Sequence, residues 1–355
     1  MLSSLAHKTV ECTVGPVLPD AKAAGNAAPR VSVIIPSYKA AATLERAAQS
    51  VMNQTEEDLE IIIVDDASPD ETWNVALQLQ RSDKRVRVER LAANSGKSHV
   101  MNFATNLARG KWIALLDADD WYAPNRIEQL VGAAEARGVE MAADNLYIID
   151  NHAGLCSGTG FPIHGSTRLI DLDVFLKTSN PTARYDYGML QPIYRADFIR
   201  EHALDYYEPA RIGEDFYQLL CFFQAGGRAI VLDTPFYYYI EPFGTISRQW
   251  AQPTRSQYNY ASMLETHEHF SSRLGTSLNV QQKALLDHRK SGIETMISIH
   301  QIGLCRKNGD FKGMLERIAY APPRVWGVVC KRLASRLRTV LLPPKGSPIL
   351  GGQAS

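Results

Sequence analysis

Behind Glu60, the stretch Ile61-Ile-Ile-Val64 is an apolar run that two aspartates, Asp65 and Asp66, bring to an end. No polar residue alternates through it, so as a strand it must be covered on both faces, and sheets covered by helices on both faces are the parallel kind. Val31 to Ile35, Val86 to Leu91 and Trp112 to Leu116 are further strand-like runs, each separated from the next by a segment of helical period. Leu44, Ala47, Ala48, Val51 and Met52 share one helical face, as do Val100, Phe103, Ala104, Leu107 and Ala108, and then Ile127, Leu130, Val131 and Ala134. Alternation of this type predicts an open α/β sheet, whose ligand crevice lies beyond the carboxyl ends of the strands. Finer punctuation is also predicted. Ser68, Pro69 and Glu71 read as an N-cap, a first-position proline and the acid of a capping box, Gly110 as a helix stop, Pro124 as a helix start, and Met141 to Ile149 as one more strand.

The rest of the chain divides by composition. Residues 1–30 are rich in Ala, Gly and Pro and read as a loose tail, 31–250 as the α/β domain, and 251–320 as a helical appendage. Residues 321–355 contain Arg324, Lys331, Arg332, Arg336, Arg338 and Lys345 with no acid, and Val329, Leu333 and Leu337 form a narrow stripe, which predicts a basic amphipathic tail. Over the 355 residues 38 basic side chains balance 38 acidic ones, which argues against a nucleic acid as partner. Cys12, Cys156, Cys221, Cys305 and Cys330 are scattered with no Cys-x-x-Cys pair, so neither a disulfide framework nor a zinc site is expected. No run is long enough to span a bilayer and the first thirty residues lack a signal-peptide core; the expectation is a cytoplasmic protein.

Chemistry concentrates at the acids. Asp117 and Asp119 follow a buried strand two residues apart, so in extended geometry both carboxylates project to one side, where they repel unless a hard divalent cation lies between them. The plainer reading is a solvated acidic loop. Asp65 or Asp66 can accept hydrogen bonds from a ribose or a base, or simply cap a turn. Glu214 and Asp215 open a helix, where a carboxylate is stabilised in its ionised form and the bland role is a cap. His99, His152, His164 and His202 show no metal-ligand spacing, and Tyr237, Tyr238 and Tyr239 read as strand packing.

In order and spacing, Val31-Ser-Val-Ile-Ile-Pro-Ser-Tyr38, Leu44, Asn53-Gln-Thr55, Ile63-Val-Asp-Asp-Ala-Ser68, Asn94, Gly96, Ala108-Arg-Gly110 and Leu116-Asp-Ala-Asp-Asp120 resemble the family 2 glycosyltransferases of GT-A fold. The resemblance covers roughly residues 31–135. It implies that Pro36 and Tyr38 line a nucleotide pocket, that Asp66 holds uracil or ribose, that Asn102 lies at the donor, and that Asp117 and Asp119 hold the ribose and a diphosphate-bound Mg²⁺ or Mn²⁺. Family members carry Arg before that Asn, where this chain has Met101; Lys97 or Arg109 would then supply the phosphate-side cation. Asp215 is implied as general base, with Glu214 its fallback. Ala143-Asp-Asn-Leu146, Gly213-Glu-Asp-Phe216 and Gly244-Thr-Ile-Ser-Arg248 resemble, more narrowly, bacterial succinoglycan-type exopolysaccharide glucosyltransferases, and bring Asp144, Asn145, Arg248 and Trp250 toward a sugar or pyrophosphate, each alternatively holding its loop.

These residues lead to the expectation of an inverting transfer of a sugar, glucose by the narrower resemblance, from a UDP-sugar to a glycan or lipid-linked glycan acceptor. The basic tail reads either as lying on an anionic membrane at the inner face of the cell or as a helix packed on the catalytic domain with its basic side solvated. A nicotinamide-binding Rossmann enzyme is disfavoured, because Pro36-Ser-Tyr-Lys39 contains no glycine. A phosphoacceptor signalling domain would leave some 200 residues without a role. The remaining rival is a protein that holds nucleotide sugar on this scaffold without turnover.

Overall fold

A computed structural model of the chain describes residues 28–150, 154–182, 187–210, 212–240, 253–323 and 325–327. The expected loose tail, but for its last three residues, the basic tail beyond Gly327, and Arg248 with Trp250 lie outside these. The elements run β1 (Val31–Ser37), α1 (Leu44–Met52), β2 (Leu59–Asp65), α2 (Thr72–Ser82), β3 (Val86–Arg90), α3 (Lys97–Leu107), β4 (Trp112–Leu115), β5 (Trp121–Tyr122), α4 (Arg126–Arg137) and β6 (Met141–Ile149). They continue with β7 (Cys156–Thr159), β8 (Thr167–Ile170), α5 (Leu172–Thr178), β9 (Ile193–Arg195), α6 (Ala196–Glu201), α7 (Glu214–Gln224) and β10 (Ala229–Ile240). Three helices follow: α8 (Pro253–Leu274), α9 (Val280–Lys307) and α10 (Phe311–Ala319).

One sheet of order β3-β2-β1-β4-β9-β6-β10-β5 carries the fold, with β7 on β6 and β8 on β10. Its left half is parallel: Val33 pairs with Ile61 of β2 and with Ala114 of β4. Alternate side chains feed two cores. Ile34, Ile62, Val64, Ile113 and Leu115 face one, with α3 and α5 to α7; Val33, Ile35, Ile61, Ile63 and Ala114 face the other, with α1, α2 and α4. That double covering is why all seven residues of β2 are buried. The expected mostly parallel sheet between helices is therefore present, with antiparallel strands added: β5 and β8 on β10, β7 on β6, and β9 within the sheet. The short β9 runs antiparallel between β4 and β6 and joins the two parallel portions; three residues are too few to show a period.

Three points of punctuation differ from expectation. Helix α2 starts at Thr72 with no side-chain cap, because the Ser68 hydroxyl accepts from Lys39 N (3.0 Å) on the neighbouring turn and Asp70 accepts from Thr72 N (3.2 Å). Helix α3 ends at Leu107, and Gly110 serves instead as a close-approach residue: a Cβ there would lie 2.5 Å from Ser32 N. Helix α4 starts two residues after Pro124, whose carbonyl accepts from Thr55 N (2.8 Å).

The helical segment packs on α7. Phe270 of α8 stacks on Tyr217 at 4.5 Å between ring centres, and the Arg289 guanidinium of α9 lies 3.6 Å over the Phe216 ring. Among the described residues no helix is long and apolar enough to cross a membrane.

Candidate active site

Strand carboxyl ends and helix amino ends converge where β1, β2 and β4 run out. Each Asp66 oxygen is already engaged: Oδ1 accepts from Ser95 N (2.7 Å), and Oδ2 from Asn94 Nδ2 (2.8 Å) and Gly96 N (2.9 Å). Only 3% exposed, Asp66 therefore fixes the turn that launches α3, and with it Lys97. Asp65 behaves similarly, accepting from Ser68 N (3.1 Å) and pairing with Arg90 Nε at 3.0 Å. Pro36 and Tyr38 lie half-buried at the end of β1.

Lys97 is the hub. Its ammonium is 2.8 Å from Asp117 Oδ1, 3.9 Å from Glu214 and 3.9 Å from Asp215. Burial works against this charge, but Asp117, Asp215 and Glu214 outweigh it and hold the Lys97 pKa well above its ordinary value. Glu214 and Asp215 occupy the first turn of α7, behind Gly213 at φ +81°, and neither acts as a side-chain cap. Burial pushes the Asp215 carboxyl up to about 7; Lys97 pulls it down, while Glu214 and Asp117 add to the rise. A half-buried carboxylate poised near neutrality is suited to accept a proton.

Asp117 to Asp120 form a turn, Asp120 N donating to Asp117 O at 3.0 Å, and not the extended segment expected. The turn still leaves Asp117 and Asp119 close enough to interact, while Asp120 faces inward to accept from Tyr237 OH (2.7 Å) and Ile240 N (2.8 Å). The Asp119 carboxyl is raised by burial and then by Asp117, the condition of an acid short of positive charge. Two such hard oxygen donors fit a divalent cation. Among the described residues no group of three or more His, Cys, Asp or Glu gathers as a metal site, so further ligands would come from diphosphate oxygens and water.

Four candidates are placed elsewhere. Asp144 is fully buried in an ion pair with Arg126 (2.7 Å) and also accepts from Phe236 N (2.9 Å), so it holds the core and cannot reach a sugar. Asn102 donates to Tyr206 O (2.9 Å) and Glu208 Oε1 (3.3 Å) and accepts from Tyr206 N (2.8 Å), so both amide hydrogens are spent within the protein and it anchors the Tyr206 segment. Arg109 pairs with Glu60 (2.8 Å) at the opposite end of β2, which removes it as the phosphate-side cation. Asn145 is likewise internal, donating to Phe161 O and Asp233 O. The tyrosine run packs as expected, Tyr238 lying between Trp121 and Tyr147 at 5.0 Å from each.

Arg46 escaped the sequence reading. It donates to Asp119 O (2.6 Å) and covers the Trp121 ring at 4.1 Å, bracing the acidic turn from α1. Nothing local marks it, since an arginine on the polar side of an amphipathic helix is ordinary.

Residues 32–182 match the family model "Glycosyl transferase family 2". The succinoglycan biosynthesis protein ExoO of Rhizobium meliloti (strain 1021) is 33% identical over 227 residues, which are 62% of this chain and 63% of that protein, so the match falls just short of two thirds of the relative's length. Among solved structures, S. aureus TarS 1-349 in complex with UDP-GlcNAc superposes with a TM-score of 0.54 at 18% identity, covering 88% of this chain and 87% of that one. The mannosyltransferase PcManGT of Pyrobaculum calidifontis, in complex with GDP-Man and Mn²⁺, gives 0.53 at 16% identity, covering 88% and 81%. The strand-end acids, the ordered motifs and these matches agree: residues 32–182 are similar to glycosyl transferase family 2, and the chain has a GT-A fold.

Proposed function

We propose that this chain is an inverting, metal-dependent glycosyltransferase of bacterial exopolysaccharide biosynthesis, moving a sugar, glucose by first choice, from a UDP-sugar to a hydroxyl of a lipid-linked or oligosaccharide acceptor. The observation that carries the reading is the convergence of Asp117, Glu214 and Asp215 on the single ammonium of Lys97, all within 3.9 Å. Donor anchor and proton acceptor then border the same space. The relation to a succinoglycan protein supports the pathway class, and the UDP-GlcNAc complex of TarS supports the donor class.

Pro36 and Tyr38 flank the nucleotide, Asp66 presents the remaining lone pair of Oδ1 to it, and Asp117 meets the ribose. Asp117 and Asp119 would hold the divalent cation, which when bound supplies Lewis-acid stabilisation of the departing diphosphate. Lys97 adds positive charge on the same side, in the role that Met101 cannot fill. Asp215 takes the proton of the acceptor hydroxyl as its oxygen attacks the anomeric carbon; the bond to the diphosphate breaks and its electron pair leaves with UDP. A single displacement inverts the anomeric centre. On this reading the enzyme works in the cytoplasm, peripheral on the inner face of the membrane where a lipid-linked acceptor lies, with its basic tail toward anionic lipid.

Two measurements test this. UDP-sugars with Mn²⁺ are expected to raise the melting temperature where GDP- and dTDP-sugars do not, and Asp119→Ala to remove the Mn²⁺-dependent part; a shift that survives this change intact rejects the metal role. Product formed from radiolabelled UDP-glucose separates an enzyme from a protein that only holds the nucleotide.

Lys97→Met is expected to raise donor KM on the order of tenfold, through the lost charge-assisted contact, and to move the acid limb of the pH profile upward. The sign follows from the charges around Asp215: Lys97 lowers its pKa, so removing the ammonium leaves burial, Glu214 and Asp117 to raise it above about 7. Lys97→Arg restores the limb. A limb that stays in place in Lys97→Met would show that the two groups do not interact.

A further inference from the structure

The appendage ends in a surface that the transfer reaction does not use. Helix α10 has no buried residue, although Phe311, Met314, Leu315 and Ile318 fall on one stripe. Met314 and Ile318 are half-buried; Phe311 and Leu315 are 63% and 61% exposed. Just beyond, Tyr320 and Trp326 are 88% and 45% exposed, while buried Val325 and the prolines 322 and 323, which share a groove with Ser291 and Ser298 of α9, tie their segment to the appendage. Exposed apolar side chains gathered on one short segment mark a contact surface.

The charge distribution identifies the partner. Residues 306–355 contain ten Lys and Arg against two acids, in a chain that balances 38 against 38; the first 305 residues therefore carry eight more acids than bases. On and beside α10, Arg306, Lys307, Lys312 and Arg317 outnumber Asp310 and Glu316, so an anionic surface attracts the α10 end. A second copy meeting this face would set two basic ends against each other. Residues 328–355 folding back on it would do the same. Phe, Tyr and Trp beside Lys and Arg are the side chains that settle at the boundary between headgroups and acyl chains.

We propose that the outer face of α10, with Phe311 and Leu315 at its centre and Tyr320 and Trp326 at its margin, docks on an anionic lipid bilayer. The anchor is then an ordered part of the appendage and not the basic tail alone. This rests on the membrane-side reading of the acceptor above, but docking is read without donor or acceptor. A chain that floats and does not transfer, or transfers and does not float, separates the two.

The test is flotation of the full chain with phosphatidylglycerol–phosphatidylcholine vesicles against phosphatidylcholine alone. Wild type is expected to float with the anionic vesicles only. Phe311→Ser with Leu315→Ser is expected to reduce partition about tenfold, with melting temperature and solution mass unchanged, because two partly inserted side chains are lost. Lys312→Glu is expected to weaken binding mainly at low salt. Four results would overturn the proposal: equal flotation of the double variant and wild type, no preference for anionic lipid, a fall from dimer to monomer in the double variant, or stronger flotation of a chain ending at Gly327, which would mean that the tail covers this face.

Discussion

Asp215→Asn is expected to lower kcat about a thousandfold while donor affinity stays within about twofold, since a general base acts on the acceptor proton and not on the bound nucleotide. Wild-type kcat/KM should fall about tenfold per pH unit below an apparent pKa near 7, because the base form is lost as Asp215 protonates. The residual activity of the Asn variant should lack that limb. Stability moves the other way. The folded-state pKa lies above the ordinary carboxylate value, so the contribution of the neutral acid is full below the ordinary range and is lost as pH rises through about 7. Relative to wild type, Asp215→Asn should therefore melt higher at pH 8 than at pH 5. Initial rates across pH, donor titration and thermal melts check the three parts together. If kcat in Asp215→Asn falls less than about tenfold, Glu214 becomes the better candidate for the base.

Arg126→Met should cost about 3–5 kcal/mol, a large part of the stability of an ordinary domain. Neither Arg126 nor Asp144 is exposed at all, and the pair does more than neutralise charge. The guanidinium also donates to Gln191 O and lies 4.2 Å from the Tyr122 ring centre and 5.0 Å from that of Tyr237, while Asp144 accepts from Phe236 N in β10. Removing the arginine strands a buried carboxylate between β6 and β10, whose desolvation nothing then offsets. Replacing both partners, Arg126→Met with Asp144→Leu, should recover more than half of the loss. Urea denaturation of the three variants reads this directly. A cost below about 1 kcal/mol for the single change would mean that the pair is not energetically isolated from water. Asp144→Asn distinguishes the same claim from a sugar-binding role: activity per folded molecule should hold while stability falls.

How much of this was legible differs by element. The β1 to β4 strands and α1, α3, α4 and α7 showed in the sequence because burial on both faces leaves an unbroken apolar run in a strand, and burial on one face leaves a period of 3.6 in a helix. The capping box at Ser68 failed for a local reason: the hydroxyl found a better donor, Lys39 N, on a turn that sequence spacing does not bring near. The acidic turn was legible in composition but not in shape. Its reversal is enforced by Tyr237 and Ile240, more than a hundred residues away, which draw Asp120 inward.

By itself the sequence determined the alternation of strands and helices, the covering of the sheet on both faces, and the placing of acids where strands end, because each follows from neighbours within a few positions. Tertiary structure alone decided which of those polar groups would be spent on the protein. Asn102 went to the backbone of Tyr206, 104 residues on, Asp144 to Arg126, and Arg109 to the far end of β2. Lys97, indistinguishable in sequence from a solvated helix-start lysine, became the cation of three acids drawn from the turn after β4 and from α7. The physical reason is that a polar side chain takes the partner that desolvation forces upon it, and desolvation is set by long-range packing.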